Sequence, residues 1–339
     1  MRGERVLQHP SKHKPVSIVI PTWNGCPLLK RFLPSVLHAL EAYPGGGEVV
    51  VVDDGSTDGT KGYIRECFPA VKVIRLEVNS GFASAANRGV WEAVNDIVVL
   101  LNNDVEVSEH FLDPLVRPFQ QPGVFASCAR SLDWDRETFR DGGKVGQWKR
   151  GFWRVWRNYD LAEKGRIPDG PLLTFYCPGG FAAFDQKKWL ALGGLDELFK
   201  PFNWEDTDIC YRALKRGWRL IYVPQSVVYH RPKTTIGGGA FSRSYVRYIS
   251  RRNRLFFHWK NLTDNKLLAK HIFFLTLSLP LSFLRLDLVS VAAFFGALLH
   301  LGKIRERRAV EKAESKVTDL DIYQTYRDFY SVTHGIVLE

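Results

Sequence analysis

The chain has 339 residues, 45% hydrophobic and 24% charged, an ordinary globular balance that allows a sizeable core in one large or two modest domains. Five cysteines, an odd count with no CxxC pair, argue against a disulfide framework or a zinc site and fit a reducing cytosol. The formal net charge of +11 asks for an anionic partner, whether nucleic acid, a membrane surface or a phosphorylated substrate.

Residues 1–14 are polar, are expected to be loose, and lack the long apolar stretch of a signal peptide. β-branched runs at 16–20, at 49–52, in "VKVIRLE" and in "DIVVLL" read as strands covered on both faces. Helical patterns alternate with them at 28–40, with a kink or break at Pro34, at 57–67 and at 82–93. This alternation predicts parallel βαβ units in a doubly wound sheet, where ligands bind at the carboxyl ends of the strands.

Beyond residue 123 the pattern changes. "GVFASCA" reads as a strand, "LLTFYCPGGFAAF" as a strand and a glycine turn, and "DQKKWLALGG" as a helix with a glycine stop. "NWEDTDICYRALKRGWRL" is a helix with acids in its first turn and bases in its last. "LIYVP" and "VVYH" read as two short strands. Residues 131–170, rich in Trp, Arg, Lys and Gly, show no regular pattern. Their tryptophans Trp134, Trp148, Trp153 and Trp156 suit either sugar stacking or a core. The apolar stretch 271–302 is broken by Pro280, Arg285 and Asp287, so neither half reaches the ~20 residues of a spanning helix. One or two helices lying in a membrane interface, followed by the basic "KIRERR", are expected there.

The segments after the four strands are "PTWN", "DDGSTDGT", "NSGFASAANRG" and "NNDVEV". Asn and Asp close turns with their own side chains, and Ser56, Thr57 and Asp58 are good helix caps. Capping does not account for two adjacent acids, Asp53 and Asp54, before them. Four acidic or amide-rich tips along one edge suggest a docking place for a charged ligand.

Six stretches carry a resemblance: "VSIVIPTWNG", "VVVVDDGSTDGT", "NSGFASAANRG", "LLNNDVEV", "GGFAAFDQKKWLALGGLDE" and "FNWEDTDICYRALKRGW". In this order, over about residues 15–260, the chain resembles inverting family 2 glycosyltransferases, and among them non-processive, rhamnosyltransferase-like members. The resemblance implies an α/β fold of the GT-A type, Rossmann-like with a mostly parallel central sheet, over 15–262. Its nucleotide-binding half would be 15–107 and its acceptor half 108–262, with a C-terminal helical, membrane-associating extension over 263–339. It implies a nucleotide-sugar site lined by Pro21, Thr22, Asn24, Asp53, Asp54, Asn79, Gly81, Asn87, Asn103 and Asp104. Asp104 stands where the family holds a divalent metal on the sugar diphosphate. Mn2+ or Mg2+ suits carboxylate and phosphate oxygens, and His230 is a further metal candidate. In the "WEDTD" cluster, Asp206 stands where the family keeps its general base, with Glu205 orienting it or meeting the acceptor. Gly179, Gly180 and Trp204 would line the acceptor. Arg251, Arg252 and Arg254 could meet phosphates or an anionic membrane.

The QxxRW signature of processive relatives is missing: Gln147 to Gly151 read "QWKRG". Transfer of one sugar, from a UDP- or dTDP-sugar to a glycan or lipid-linked acceptor at the cytoplasmic membrane face, is therefore expected. A nucleic-acid binder is disfavoured because acidic tips repel phosphate, and an oxidoreductase because no GxGxxG follows the first strand. An inactive scaffold relative is disfavoured by the intact Asp104 and Asp206.

Overall fold

A computed structural model describes residues 13–158, 170–230 and 241–334. Strand β1 (Val16–Thr22) pairs in parallel with β2 (Gly47–Asp54) and β4 (Ile97–Leu101), and β2 with β3 (Lys72–Leu76). Every residue of β1 and β4 is buried, as expected of strands covered on both faces. The two-residue period splits their side chains between two cores. Val19, Val50, Val52, Val98 and Leu100 share one with α3 (Phe82–Glu92). Ile18, Ile20, Val49, Val51 and Val99 share the other with α1 (Cys26–Ala42). Helix α1 runs through Pro34 without the break that the sequence allowed. Pro34 and Lys30, whose carbonyl loses its partner, both lie on the exposed face, where water replaces the bond. Helix α2 (Thr60–Cys67) starts three residues later than its pattern suggests, because 57–59 form a loop.

The register decides where the site lies. Thr22 is opposite Asp53 and Asp54 opposite Leu76, so the ends of β1, β2 and β3 line one edge. β11 (Phe181–Asp185) runs antiparallel to β4 with Phe181 opposite Leu101, so the glycine loop before β11 arrives at the same edge. β6 (Val124–Leu132) pairs with β11 and with β12 (Arg219–His230). The two expected strands "LIYVP" and "VVYH" are this one strand, with an irregularity between Val223 and Val227. β5 (Val105–Val107) places Val105 opposite His230, bringing the far end of β12 to the tip after β4.

The stretch without a periodic pattern contains β7 (Phe139–Asp141) and a separate hairpin, β8 (Lys144–Lys149) with β9 (Phe152–Asn158); residues 159–169 lie outside the described residues. β10 (Leu172–Leu173) pairs with β12. Short helices α4 (Leu112–Val116) and α5 (Gln186–Ala191) are followed by α6 (Glu205–Lys215) and α7 (Arg243–Asn261).

Four helices close the chain: α8 (Asn265–Leu284), α9 (Leu288–Leu298), α10 (Leu301–Glu314) and α11 (Asp319–His334). Helix α8 corrects the expectation of two short halves. It carries Pro280 on an exposed face and, by length and composition, suffices to cross a membrane. Ile272, Phe273, Leu277, Leu281, Phe283, Leu284, Leu286, Leu288, Phe295 and Leu299 are exposed along α8 and α9. Helices α10 and α11 turn back onto the domain: Arg216 pairs with Glu311 (2.9 Å), Lys215 with Asp319 (2.9 Å), and the Tyr326 hydroxyl donates to the Thr174 carbonyl. The exposed apolar side chains of α8 and α9 lie within 272–299.

Candidate active site

Four loops interlock at the sheet edge. The Asn24 N–H donates to Ser56 Oγ (2.9 Å), and Asn24 Oδ1 accepts from the Thr57 N–H (2.8 Å). The Cys26 N–H donates to Asp58 (2.9 Å). The first and second loops are thus one unit. Asn103 donates to Thr22 Oγ1 (2.7 Å) across the same edge. A Cβ at Gly25 would lie 2.3 Å from both groups, so only glycine fits there. Pro21 is buried within β1.

The acidic pair after β2 is largely occupied. Asp53 accepts from the Ser56 N–H (2.9 Å) and from Arg75 (2.6 Å), whose other nitrogen donates to the Ser56 carbonyl (2.9 Å). Asp54 accepts from the Ser80 N–H (2.7 Å) and the Gly81 N–H (2.8 Å); burial raises its pKa although those bonds oppose the shift. Both carboxylates therefore shape the pocket wall, with Arg75 a partner that no sequence motif marked. Asn79 accepts from the Gly81 N–H (3.1 Å) and stays at the surface. Asn87 braces the loop before the next helix: its amide both donates to and accepts from the Leu195 backbone (2.8 Å each).

At the tip after β4, Asp104 is buried and lies 3.3 Å from His230 Nε2. Asn102 acts as a spacer: its N–H donates to the Gly180 carbonyl (2.9 Å), and a Cβ at Gly180 would lie 2.5 Å from its amide. The next residue back, Gly179, brings its backbone N–H beside Asp206, where it favours the charged carboxylate. The glycine loop thus joins the Asp104 tip to the Asp206 carboxylate.

Asp206 is deeply set at the start of α6. It accepts from the Tyr176 hydroxyl (2.5 Å) and the Thr207 N–H (2.7 Å). Burial raises its pKa, while these donors and the Gly179 N–H hold the rise back. Glu205 is pushed up to about 8 by burial and then by the charge of Asp206, and its buried Oε2 has no hydrogen-bond partner. Near neutral pH Glu205 therefore keeps its proton, while the donors around Asp206 favour its charged form. Asp208 is buried and held by Arg212 (2.7 Å), Lys260 (2.9 Å) and Asn261 (2.8 Å).

The approach to this pair is strained. Asn203 and Trp204 have φ of 70° and 79°, left-handed values that cost a bulky residue of order 1–3 kcal/mol. Asn253 on α7, fully buried, holds the turn by donating to the carbonyls of Phe199 (2.6 Å), Phe202 (2.9 Å) and Asn203 (2.9 Å). Sequence reasoning missed Asn253 and Tyr176; a lone Asn or Tyr carries no periodic signal. Trp153 proves to be core, fully buried with its indole N–H on the Tyr211 hydroxyl (3.2 Å).

Two cavities matter for placement. One, about 1030 Å3, lies elsewhere, around His13, Tyr43, Asp113 and Val124, and holds none of the acidic tips. A second, about 380 Å3, is lined by Tyr176, Trp204 and Thr207 beside Asp206, and by Lys144, Arg154, Arg251 and Arg254.

The geometry agrees with what comparison with known proteins finds. Residues 17–189, just over half of the chain, match the model described as glycosyl transferase family 2. A Mycobacterium tuberculosis protein described as N-acetylglucosaminyl-diphospho-decaprenol L-rhamnosyltransferase is 27% identical over 245 residues, spanning 65% of this chain and 77% of the relative. Pre-mycofactocin glycosyltransferase of the same organism is 27% identical over 66% of this chain, which spans 44% of that relative's length. Among solved structures, GalNAc-T7 with UDP, GalNAc and Mn2+ aligns with a TM-score of 0.58 at 21% identity, covering 76% of this chain and 50% of that one. The mannosyltransferase PcManGT of Pyrobaculum calidifontis, in complex with GDP-Man and Mn2+, aligns at 0.52 with 20% identity, covering 90% of this chain and 88% of that one. With the motifs in order along one sheet edge, the chain belongs to glycosyl transferase family 2 and has the GT-A fold.

Proposed function

We propose that this protein transfers one sugar, with inversion, from a UDP- or dTDP-sugar to a hydroxyl of a glycan or lipid-linked acceptor at a membrane. The observation that carries the reading is the glycine loop that ties the Asp104 tip to Asp206, since donor phosphates and acceptor hydroxyl must meet within one site. Asp104 and His230 offer one oxygen and one nitrogen donor, and no group of three or more His, Cys, Asp or Glu closes a metal shell among the described residues. That set fits Mn2+ or Mg2+ held jointly with a diphosphate, whose oxygens complete the shell. The metal, when bound, would offset the charge developing on the leaving diphosphate.

Asp206 accepts the proton of the attacking hydroxyl, which requires hydrogen-bond distance and an ionised carboxylate. Its three donors favour the ionised form. Glu205, protonated and with an unpartnered oxygen, is suited to a hydrogen bond with the acceptor. Donation of rhamnose from a thymidine diphosphate fits the rhamnosyltransferase relative.

The exposed apolar side chains of α8 and α9 support seating on a membrane. A complete crossing by α8 would place α10 and α11 on the far side from the sheet, yet both pack on it through buried ion pairs. The intervening α9 has 11 residues, about 16 Å, too short to return across a hydrocarbon core of ~30 Å. A hairpin dipping into one leaflet satisfies both facts. The five free cysteines suit the cytoplasmic face.

Calorimetric titration with UDP and dTDP, each with Mn2+ and with chelator, tests the donor site. Metal-dependent binding of one nucleotide is expected, retained in Asp206→Asn while transfer falls by about 10²–10⁴-fold. Loss of nucleotide binding in that variant with turnover preserved at saturation would overturn the assignment of the base.

A further inference from the structure

Beside Asp206, the 380 Å3 cavity gathers four cations: Lys144 from β8, Arg154 from β9, and Arg251 and Arg254 from α7. Two have acidic partners, Lys144 with Asp141 (2.7 Å) and Arg251 with Asp287 (2.6 Å). Arg154 and Arg254 have no ion pair among the described residues. Arg154 Nε is buried without a hydrogen-bond partner, and the Arg254 guanidinium sits 4.2 Å over the Phe152 ring. Two like charges held close in a half-buried cleft are costly unless an anion joins them. The strain registers on Arg254, lowered to about 10 first by burial and then by Arg154 and Arg251. Guanidinium forks match phosphate oxygens in pairs.

Position narrows the anion. Tyr176, Trp204 and Thr207 line the same cavity, and Tyr176 donates to Asp206, so an occupant lies next to the proposed base. Asp104 and His230 at the donor tip do not line this cavity. Arg251 also grips Asp287, the residue between the two apolar helices α8 and α9, so the cavity borders the surface proposed to meet the membrane. We propose that this cavity seats the phosphate or diphosphate of a lipid-linked acceptor, with Arg154 and Arg254 as its principal ligands. At about 30 Å3 per water the cavity holds about a dozen waters, room enough for a diphosphate. This rests on the glycosyltransferase reading, and it narrows the acceptor from any glycan to one carrying a glycosyl phosphate.

The test uses the full chain and three probes: inorganic pyrophosphate with chelator, phosphatidylcholine vesicles carrying a polyprenyl diphosphate, and vesicles of phosphatidylcholine with phosphatidylglycerol. The variants are Arg154→Gln/Arg254→Gln and the charge-preserving Arg154→Lys/Arg254→Lys, with thermal melting to verify folding. Pyrophosphate and polyprenyl diphosphate binding should weaken at least tenfold in the Gln pair and recover in part in the Lys pair, while UDP or dTDP binding with Mn2+ stays unchanged. Pyrophosphate binding that is unaffected by the Gln pair, or displaced by the nucleotide, would place the anion at the donor site and overturn the proposal. Equal, arginine-dependent binding to phosphatidylglycerol without the diphosphate lipid would make the cavity a general headgroup contact and overturn it too. Failure of the nucleotides to bind wild type, with arginine-dependent diphosphate binding intact, would refute the donor reading and leave the anion site standing.

Discussion

Replacing Tyr176 with phenylalanine removes one hydrogen bond and little volume, so it isolates what tunes Asp206. The Tyr176 hydroxyl lies 2.5 Å from Asp206 Oδ2, and a hydrogen bond to a charged group contributes about 1.5–3 kcal/mol. At about 1.4 kcal/mol per pKa unit, losing it raises the Asp206 pKa by about one to two units. The base must be ionised to act, so the acid limb of kcat/KM should move toward higher pH by that amount. The plateau should change little, because the Thr207 and Gly179 N–H groups still hold the carboxylate in place. Sugar transfer measured from pH 5 to 9 at saturating metal reads both quantities. Glu205, raised to about 8, titrates in the same range, so the comparison is repeated on a Glu205→Gln background. An unmoved acid limb would refute Asp206 as the base tuned by Tyr176. A hundredfold loss of plateau with an unmoved limb would instead assign Tyr176 to holding the acceptor.

Asp104→Ala should erase the difference between nucleotide titrations with Mn2+ and with chelator; a preserved difference would place the metal elsewhere. Phe283→Glu with Leu284→Glu should cut co-sedimentation with anionic vesicles at least tenfold, since each apolar side chain leaving water contributes about 1.5–3 kcal/mol, without altering nucleotide binding. His258 and His271 stack at 5.0 Å and both are held neutral; burial lowers His271 to about 4, against an ordinary value near 6.5. Their folded pKa values are depressed, so the stability they contribute is full above about pH 6.5 and is lost as pH falls toward 4. Between pH 7.5 and 5.5 wild type should lose about 1.4 kcal/mol more than His271→Gln in urea unfolding, a difference that cancels the opposite drift from Glu205; equal losses would show that His271 is not neutral in the fold.

The nucleotide half was legible because its signals are local. Buried parallel strands write themselves as β-branched runs, and the tips after them as Asn, Asp and Gly. What failed to show were pairings between distant residues. Asn87 sits in a glycine-rich helix start and looks like a ligand residue, yet its partner is Leu195, 108 positions away. Arg75, in an ordinary strand, gains its role only when β3 lies beside β2 and Asp53 comes opposite. The hairpin β8–β9 has no clean alternation because it sets Phe152 on a histidine pair and buries its own Trp153, rather than facing a uniform apolar surface. In the C-terminal helices Pro280 looked like a break but is exposed within α8, whereas Arg285 and Asp287 do mark the break before α9, where Asp287 anchors Arg251.

Helix α7 is where these non-local pairings meet. Arg247, Arg251, Arg254 and His258 recur at intervals of four, three and four, so they share one stripe of the helix. Arg251 fixes the start of α9, Arg254 lines the cavity beside Asp206, and His258 accepts from the Trp153 N–H (2.8 Å) to fasten the hairpin that carries Arg154. On another side, Asn253 holds the strained turn that aims Glu205 and Asp206. A single rigid rod therefore relates the apolar surface, the anion cavity and the proposed base. An acceptor whose phosphate is held at that cavity would present its sugar to Asp206 at a distance set by the rod, not by the length of a flexible loop. Asn253 therefore bears on the reaction from a distance: shifting the turn by an ångström would separate the proposed base from its hydroxyl.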